Sequence, residues 1–457
     1  MTPMPDIVRI AIERLRPNPR NARVHSKRQI RQIVASIRRF GFTNPVLIGE
    51  DLEIIAGHGR VAAAKELGLT DVPTIHLSHM SSEERRAYVL ADNKIALNSG
   101  WDPEILAIEF QDLIKFDFDL DLTGFSPAEI DLTLDFASES SARKKDPADL
   151  IPEPPKHPVT QPGDLWSIGR HRLLCGDARL SSTVDRLMGA DRAALIFTDP
   201  PYNVPISDNV SGLGAVRHKD FAMACGEMTR QEFTQFLTTT LGAAAAHCRD
   251  GAIAFVCMDW RHMGELLEAG EAIFSELKNV CVWNKSNAGM GTFYRSKHEL
   301  IFVFKYGSGP HLNNFGLGES GRHRTNVWDY AGISSLSGKR ADELAMHPTV
   351  KPVTLVADAI KDCSLRADIV LDVFGGSGST LIAAETCGRL ARLIEYDPAY
   401  CDTIVRRWEH LTGKQATMAS TGKTFEAIDS ERGIDFDDRP VEAALRSSLR
   451  KKRRVGG

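Results

Sequence analysis

Four consecutive residues, Asp199-Pro200-Pro201-Tyr202, combine hydrogen-bond acceptors, a stiff loop and a flat aromatic ring. They follow the apolar run Ala193–Phe197, which is typical of a buried strand. The two prolines fix φ, so that the Asp199 carboxylate and the Pro200 carbonyl can accept the two hydrogens of an exocyclic amino group. Accepting them localises the nitrogen lone pair and makes the nitrogen more nucleophilic, while Tyr202 offers a stacking face for a base. A proline-stiffened turn without chemistry is the alternative.

A second candidate for chemistry is the glycine-rich turn Phe374–Gly378, which follows the apolar run Val370–Asp372. Glycines let the backbone approach a ligand closely, and the following helix presents unpaired N–H groups. A tight connection without a ligand would use the same residues. Glu395 favours a ligand, because it ends the next apolar run about 20 residues on, where a carboxylate can hold ribose hydroxyls. No Gly-Lys-Ser/Thr follows the turn, so a nucleoside triphosphate is not favoured here.

The elements that must position these residues are continuous apolar runs alternating with helical patterns. The runs are Ala193–Phe197, Ala252–Val256, Leu300–Phe304 and Ile369–Asp372. Runs of this kind are typical of parallel strands covered on both faces, so we predict an α/β domain with a doubly wound, mostly parallel sheet. In such a sheet ligands lie beyond the carboxyl ends of the strands, where the tetrapeptide and the glycine turn both fall.

The chain has 457 residues, too many for one ordinary core, so several domains are expected. A small α+β domain is predicted first, with strands at Pro45–Ile48 and Glu53–Ala56 and a helix at Val61–Leu67. Ser81 and Glu84 have capping-box spacing at the start of a helical stretch. The predicted segments are the N-terminal domain at 1–80, a helical segment at 81–140, a Pro-rich linker at 141–162, the α/β domain at 163–427 and a charged tail at 428–457.

Composition excludes some classes of protein. Hydrophobic residues at 42% and charged residues at 25% are the balance of a globular protein rather than a disordered one. No apolar run is long enough to span a bilayer and no signal peptide is evident, so we expect a cytoplasmic protein without membrane contact. The eight cysteines are scattered without zinc spacing, so no metal site is predicted. A net charge of −4 leaves nucleic-acid binding open, because a local basic face suffices.

The tetrapeptide Asp199–Tyr202 followed by the loop Asp372–Gly378 resembles the β-class amino-methyltransferases of DNA, in which the catalytic tetrapeptide precedes the cofactor loop. The resemblance covers most of Gly163–Glu409. Three further runs match the family in order: Leu174–Asp177, Tyr294–Glu299 and His347–Pro352. The family usually has Pro where Val373 stands, and Val can adopt the φ that this position requires.

The resemblance implies S-adenosylmethionine as cofactor and a base flipped out of duplex DNA as substrate. It implies catalysis by Asp199, Pro200, Pro201 and Tyr202, with Asp177 near the cofactor adenine and Lys351 helping to hold its methionine end. The candidate cofactor-binding residues are Asp177, Lys351, Asp372, Phe374, Gly375, Gly376, Ser377, Gly378 and Glu395.

The first residue of the tetrapeptide bears on the base that is methylated. In this family Asp at that position tends towards N6 of adenine, whereas Ser tends towards N4 of cytosine, so adenine is predicted and N4 of cytosine stays open. C5 methylation of cytosine is disfavoured because it needs a cysteine nucleophile, which follows a proline in that family, and no Pro-Cys occurs here.

The polar stretch between Tyr306 and Ala345 matches the family's target-recognition region by its place in the order. Its arginines can read guanine edges or grip phosphates, and an ordinary surface loop is the alternative. The candidate nucleic-acid-binding residues are Arg322, Arg324 and Arg340.

The N-terminal segment resembles the ParB family, in which a Gly-x-x-Arg-x-x-Ala box contacts a nucleoside triphosphate. Gly57, Arg60 and Ala63 match the box, and Gly57, His58 and Arg60 are the candidate nucleotide contacts. Gly59 stands where the family commonly has a second Arg, which puts nucleotide hydrolysis in doubt. The alternative is that Arg60 pairs with a surface acid.

Charged stretches outside these motifs allow further contacts with DNA. A basic helical stretch could face DNA through Lys27, Arg28, Arg31, Arg38 and Arg39, or its charged face is simply solvated. The charged tail, which ends Lys451–Arg454, is interpreted as solvated.

Two functions follow from these patterns. The first is a DNA methyltransferase with an accessory DNA- or nucleotide-binding domain. The second is a non-catalytic regulator, in which the ParB-like domain dominates and the methyltransferase fold only senses cofactor or DNA. The intact tetrapeptide and glycine loop favour the enzyme. Double-stranded DNA is the predicted partner, and the resemblance also allows a homodimer.

Overall fold

The computed structural model describes residues 6–141, 148, 151–152, 154–155, 157–204, 226–285, 294–315, 323–331 and 350–432. The chain divides into two compact units, Met1–Ser141 and Ala142–Gly457. The predicted N-terminal domain and the helical segment both fall within the first unit. The candidate residues Arg322 and Arg340, the run His347–Thr349 and nearly all of the charged tail lie outside the described residues.

The first unit is built on a four-stranded sheet in the order β1-β4-β2-β3. The strands are β1 (Ile7–Ala11), β2 (Val46–Ile48), β3 (Ile54–Ala56) and β4 (Asp71–His76), and two helices, α1 (Lys27–Phe40) and α2 (His58–Glu66), accompany them. The strands predicted at Pro45–Ile48 and Glu53–Ala56 are thereby confirmed. The predicted helix begins three residues earlier than expected, at His58, because Gly57 precedes it with φ +105° and forms its N-cap.

Three further helices complete this unit: α3 (Ser82–Ala96), α4 (Pro103–Lys115) and α5 (Pro127–Ser141). The capping box predicted at Ser81 and Glu84 is confirmed, since each side chain accepts a hydrogen bond from the other residue's backbone N–H. Val89 on α3 packs with Ile55 and Leu77 of the sheet region, so this helix continues the fold of the strands. That packing explains why no unit boundary falls near residue 80.

The second unit contains a ten-stranded sheet in the order β11-β9-β10-β8-β7-β12-β13-β6-β5-β14. The strands are β5 (Leu165–Ile168), β6 (His171–Cys175), β7 (Ala193–Thr198), β8 (Cys248–Met258), β9 (Glu276–Asn284), β10 (His298–Lys305), β11 (Val327–Asp329), β12 (Ile369–Asp372), β13 (Leu390–Glu395) and β14 (Thr417–Met418). The centre of the sheet, from β8 through β7, β12 and β13 to β6, is parallel throughout.

Helices cover both faces of this sheet. They are α6 (Ser181–Met188), α7 (Arg230–Ala245), α8 (Met263–Ile273), α9 (Val353–Cys363), α10 (Ser379–Cys387), α11 (Pro398–Thr412) and α12 (Phe425–Glu431). Alternate side chains of β7 enter different cores: Leu195 and Phe197 pack with α9, α10 and α11, whereas Ile196 packs with α6, α7 and α8. The predicted doubly wound α/β fold is therefore confirmed.

The direction of one strand was predicted wrongly. The run Leu300–Phe304 lies in β10, which is antiparallel to both of its neighbours, β8 and β9. Both of its faces are nonetheless buried, with Ile301 in one core and Phe302 in the other. A strand covered on both faces has the same continuous apolar sequence in either direction, so the pattern predicted the strand but could not give its direction.

The end of the predicted linker packs against the second unit instead of lying in solvent. Val159 and Thr160 are both only 1% exposed. Asp402 on α11, which is fully buried, accepts hydrogen bonds from the N–H of Val159 at 2.6 Å, the N–H of Thr160 at 3.0 Å and the Thr160 hydroxyl at 2.6 Å. The composition of this stretch did not predict the contact, because the acid that holds it lies far away in the sequence.

The seven described cysteines are buried, and none of them forms a disulfide with another described residue. None of the described helices is long and apolar enough to cross a membrane. The cytoplasmic location stays a prediction.

Replacement of Asp402 by Ala should lower the free energy of unfolding by about 2–4 kcal/mol, because three buried donors lose their acceptor. Urea unfolding followed by circular dichroism measures the change. The matched control is Glu268→Ala, which removes an exposed carboxylate on α8 and should change stability by less than about 0.5 kcal/mol. Equal stabilities of the two variants would contradict the role given to Asp402.

Candidate active site

The tetrapeptide Asp199–Tyr202 begins where β7 ends, in the middle of the sheet. The strands on either side of β7, β8 and β12, are both parallel to it, so three carboxyl ends meet at this edge. Thr198, the last residue of β7, donates from its hydroxyl to Asp372 Oδ1 at the end of β12, at 2.8 Å. A buried hydrogen bond thus links the ends of the two strands that lead into the tetrapeptide and the glycine turn.

A cluster of charged side chains surrounds the tetrapeptide. The Lys351 ammonium donates to Asp199 Oδ2 at 2.6 Å and to the Tyr202 hydroxyl at 3.0 Å, and it lies 2.8 Å from Glu299 Oε2. The Tyr202 hydroxyl lies 2.6 Å from Asp199 Oδ1 and 3.2 Å from Glu299 Oε2, and its single proton can be donated to either. The Lys285 ammonium pairs with Glu299 Oε1. Two carboxylates and two ammonium groups therefore share one hydrogen-bonded cluster.

Burial and mutual charge shift the pKa values in this cluster. Burial raises the pKa of Asp199, and the Glu299 charge raises it further, against the opposing effect of Lys351. Burial would also raise the pKa of Glu299, but Lys351 and Lys285 outweigh it and hold that pKa at about 2. The pKa of Lys351 is raised because the two carboxylates outweigh its burial. Asp199 thus has one ammonium partner, Glu299 has two, and Glu299 is the more strongly held in its charged form.

The glycine turn follows β12 and begins α10 in the manner that the sequence predicted. Gly376 has φ +50° and Gly378 has φ +85°, both in the left-handed region that favours glycine. A Cβ on Gly378 would lie 2.9 Å from Ile404 Cγ1, so glycine is also required by packing. The Gly376 N–H donates to Glu395 Oε2 at 2.7 Å, which joins the turn to the acid at the end of β13.

Asp372 and Glu395 are buried acids beneath this turn. Asp372 accepts from the Phe374 N–H at 3.0 Å, and the other oxygen of Glu395 accepts from the Asp397 N–H at 2.8 Å. Neither acid forms a salt bridge with any residue that the structure describes. Burial raises the pKa of each of them to about 7. The turn therefore encloses negative charge that lacks a cationic partner in this part of the protein.

Two predicted cofactor residues are already engaged by other side chains. Asp177, just after β6, pairs with Arg179 at 2.7 Å; burial would raise its pKa, but the hydrogen bonds from Arg179 lower it. Lys351 was expected at the methionine end of the cofactor, and its side chain lies on the tetrapeptide. Its backbone carbonyl accepts from the Ser379 hydroxyl, at the start of α10, at 2.9 Å. Lys351 thus contacts both the tetrapeptide and the helix of the glycine turn.

Sequence reasoning missed the roles of Glu299 and Lys285 at this site. Glu299 was quoted only as the end of a matching run, and it is 8% exposed at the start of β10. An acid directly before the continuous apolar run Leu300–Phe304 was the available signal, because charged residues are rarely buried unless they are paired. Lys285 carried no signal in the sequence, since its place beside Glu299 depends on the pairing of β9 with β10.

The predicted nucleic-acid contact at Arg324 is not supported by the structure. Its Nε donates to Asp362 at 2.8 Å, its guanidinium lies over the Trp328 ring at 4.9 Å, and the side chain is 16% exposed. Burial by itself lowers the pKa of Arg324, but Asp362, Tyr330 and Asp358 together outweigh it, and the pKa is raised. These contacts hold Arg324 within the second unit, and its contact with nucleic acid stays a prediction.

The ParB-like box lies at the start of α2. Arg60 donates from Nη1 to the carbonyls of Asn44 and Pro45, both at 2.8 Å. The hydrogen-bond partners of Arg60 are thus backbone carbonyls and not the surface acid of the alternative interpretation. His58 Nε2 accepts from the Asn18 N–H at 3.2 Å, and burial lowers the pKa of its imidazole. Nucleotide binding at this box stays a prediction.

Comparison with known protein families assigns both units. Residues 193–406 match the DNA methylase family of N6 and N4 enzymes, residues 2–94 match the ParB N-terminal domain, and residues 104–162 match the ParB-methyltransferase HTH domain. The chain therefore contains a DNA methylase domain of the N6/N4 family, at residues 193–406. It carries a ParB N-terminal domain ahead of the methylase, and that domain order agrees with the two resemblances seen in the sequence.

Individual proteins are similar to separate parts of this methylase. The ParB-like nuclease domain-containing protein YnaK of Escherichia coli (strain K12) is 51% identical over 80 residues, which are 18% of this chain and 92% of YnaK. The DNA adenine methyltransferase YhdJ of the same strain is 26% identical over 272 residues, covering 54% of this chain and 88% of YhdJ. The solved PvuII DNA methyltransferase (cytosine-N4-specific) has 15% identity and a TM-score of 0.39, covering 57% of this chain and 96% of PvuII.

The buried acids under the glycine turn make the stability of the methylase depend on pH. Their folded pKa of about 7 lies above the usual range near 4, so the folded state binds more protons between these values. Stability should therefore fall as pH rises from about 4 to 7. Glu395→Gln removes the buried charge, but its single amide oxygen can accept from only one of the Gly376 and Asp397 N–H groups. Its stability relative to the wild type should therefore be about 1–3 kcal/mol more favourable at pH 8 than at pH 5.

The stability of Glu395→Gln relative to the wild type should be least favourable at pH 5, where the wild-type carboxyl is protonated in the folded state. Urea midpoints of both proteins at pH 5 and pH 8 measure it. A relative stability that is equal at both pH values would show that Glu395 is not a buried carboxyl with a raised pKa.

Proposed function

We propose that this DNA methylase transfers the methyl group of S-adenosylmethionine to N6 of adenine in duplex DNA. The observation that carries the proposal is the arrangement at the end of β7, where Asp199 and the Pro200 carbonyl lie beside the glycine turn and are joined to it through Thr198 and Asp372. Similarity to YhdJ, a DNA adenine methyltransferase, supports adenine. N4 of cytosine is the alternative base within the same family.

The residues of the glycine turn fit S-adenosylmethionine in shape and charge. Above Gly376 the described residues leave open space, since a Cβ there would meet only the Phe374 carbonyl oxygen at 4.0 Å. Asp372 and Glu395 supply negative charge without a salt bridge among the described residues, which suits a cofactor with a sulfonium and an ammonium group. When bound, the cofactor supplies a methyl group on sulfur that a nitrogen nucleophile can attack.

The predicted cofactor residues comprise those of the glycine turn and two residues outside it, Lys351 and Asp177. Asp372, Phe374, Gly375, Gly376, Ser377, Gly378 and Glu395 form or support the glycine turn and would hold the cofactor directly. Lys351 would act mainly at the reacting end, because its ammonium lies on the tetrapeptide. Asp177 would need to share its carboxylate with Arg179.

The tetrapeptide would orient the target amino group. Asp199 accepts one of its hydrogens and the Pro200 carbonyl the other, so that the nitrogen lone pair points towards the methyl donor. Asp199 now accepts from Lys351, so the incoming base must share or displace that hydrogen bond. The Tyr202 ring is the stacking face for the flipped base, and DNA must therefore be opened locally before the reaction.

The test of the proposed reaction is transfer of labelled methyl from S-adenosylmethionine to unmethylated genomic DNA, followed by nucleoside analysis. N6-methyladenine is the expected product. N4-methylcytosine would keep the reaction and correct the base. No transfer, despite bound cofactor and bound DNA, would favour the alternative of a non-catalytic regulator. A homodimer and a nucleotide at the ParB-like box are separate predictions that this experiment leaves unchanged.

Replacement of Asp199 by Ala should lower single-turnover methyl transfer at least about 10²-fold, since a preorganised acceptor for the amino group is lost. Cofactor binding, measured by calorimetry, should stay within a few-fold of the wild type. Asp185→Ala removes a carboxylate that is 64% exposed and is the matched control, with no expected loss of rate. Near-wild-type turnover of Asp199→Ala would contradict the proposed role.

Glu299 is proposed as a positioning residue that acts through Lys351 and Asp199. Removing its charge by Glu299→Gln should lower the pKa of Asp199, because the Glu299 charge is one of the causes that raise it. The acid side of the rate profile against pH should then move to lower pH by roughly half a unit to one unit. A purely structural role would reduce the rate at every pH without moving the profile.

A further inference from the structure

Helix α1 of the first unit carries an uncompensated basic face. Five of its fourteen residues are basic and none is acidic, in a chain whose net charge is −4. The helix places these five side chains within an arc of about 120°, at about 100° per residue. The basic face consists of Lys27, Arg28, Arg31, Arg38 and Arg39, all of them exposed.

Packing on the other side of α1 fixes the direction of this face. Val34 is buried, and Ile30, Ile33 and Ile37 are half-buried on the opposite side of the helix. Ile33 lies directly against α2, since a Cβ on Gly59 would lie 3.1 Å from its Cδ1. The helix cannot rotate its arginines towards the core without exposing these apolar residues, so the basic face stays directed away from the core of the unit.

Most of the charges on this face form no direct ion pair with acids among the described residues. Among the residues that the structure describes, Lys27, Arg28, Arg31 and Arg38 form no salt bridge, and Arg39 lies over the Phe118 ring at 5.5 Å. Lys27 and Arg28 occupy the first turn, where the helix dipole is positive and disfavours a cation. Arg31 follows them at the (i, i+4) and (i, i+3) positions, where like charges repel. Folding thus places Lys27, Arg28 and Arg31 where the helix opposes a cation, whereas Arg38 and Arg39 lie in the last turn, where the dipole favours one.

We propose that the basic face of α1 binds the phosphate backbone of duplex DNA and gives the methylase a second, sequence-independent contact with its substrate. The choice of DNA as the polyanion rests on the proposed function. The face is about 18 Å long, at about 1.5 Å per residue, so it can follow several phosphates of one strand. A bound polyanion removes both the dipole penalty and the repulsion, because it supplies the missing negative charge.

The experiment compares the full-length chain with the triple variant Arg28→Ala/Arg31→Ala/Arg38→Ala. Binding to a 30-base-pair fluorescent duplex of arbitrary sequence is measured by anisotropy at increasing salt. Three lost phosphate contacts should make the slope of log K against log salt less steep by about 3, and the affinity at low salt should fall at least tenfold. The variant should fold normally, because the three substitutions remove only exposed side chains of like charge.

The matched control is Lys65→Ala/Arg86→Ala/Lys94→Ala, which removes the same charge from exposed positions on α2 and α3 of the same unit. Its slope should equal that of the wild type. Equal slopes for wild type and α1 variant, or equal losses in the α1 variant and the control, would overturn the proposal.

Methyl transfer measured on the same proteins separates this proposal from the proposed function. Methyl transfer by the wild type, together with equal salt slopes for the wild type and the α1 variant, would contradict only the proposed DNA contact at α1. A reduced slope without methyl transfer by the wild type would support the contact at α1 and contradict the proposed reaction. With saturating DNA, the α1 variant should keep the wild-type rate, because the methylase site is untouched.

Discussion

The site depends on one interaction, the placement of the Lys351 ammonium between the Asp199 and Glu299 carboxylates. Two acids this close would otherwise repel each other in a buried environment, and one of them would be held protonated. The ammonium lets both stay charged, and Lys285 adds a second cation on the far side of Glu299. Lys351 thus favours the charged form of Asp199 against the burial and the Glu299 charge that raise its pKa.

The sheet determines why these groups meet. Asp199 follows β7, Glu299 begins the antiparallel strand β10, and Lys351 precedes α9, so three separate parts of the sequence converge at one edge. The same lysine accepts a hydrogen bond from Ser379 through its backbone, which fixes it to the helix that follows the glycine turn. Lys351 thereby positions both the cofactor loop and the reacting end. A displacement of one of them should therefore displace the other.

Much of this arrangement could be predicted from the sequence, and the failures have physical causes. Local signals were sufficient for the strand before Asp199, the glycine turn and the capping box at Ser81, because each depends on neighbouring residues. The direction of β10 and the pairing of Arg324 with Asp362 depend on contacts across the fold. The burial of Glu299 needed the same long-range information, and its only local sign was an acid at the edge of an apolar run.

A double-mutant cycle on Lys351 and Glu299 tests the central claim most directly, namely that the two act as one unit. Single-turnover methyl transfer would be measured for Lys351→Met, Glu299→Gln and the double variant, together with urea stability. The account predicts strong coupling, with the double variant losing clearly less rate and less stability than the sum of the single losses. Each single change leaves the cluster of two carboxylates and two ammonium groups with an excess of one charge, and the double change restores the balance. Additive losses would show that Lys351 and Glu299 act independently, and the role given to this interaction would be wrong.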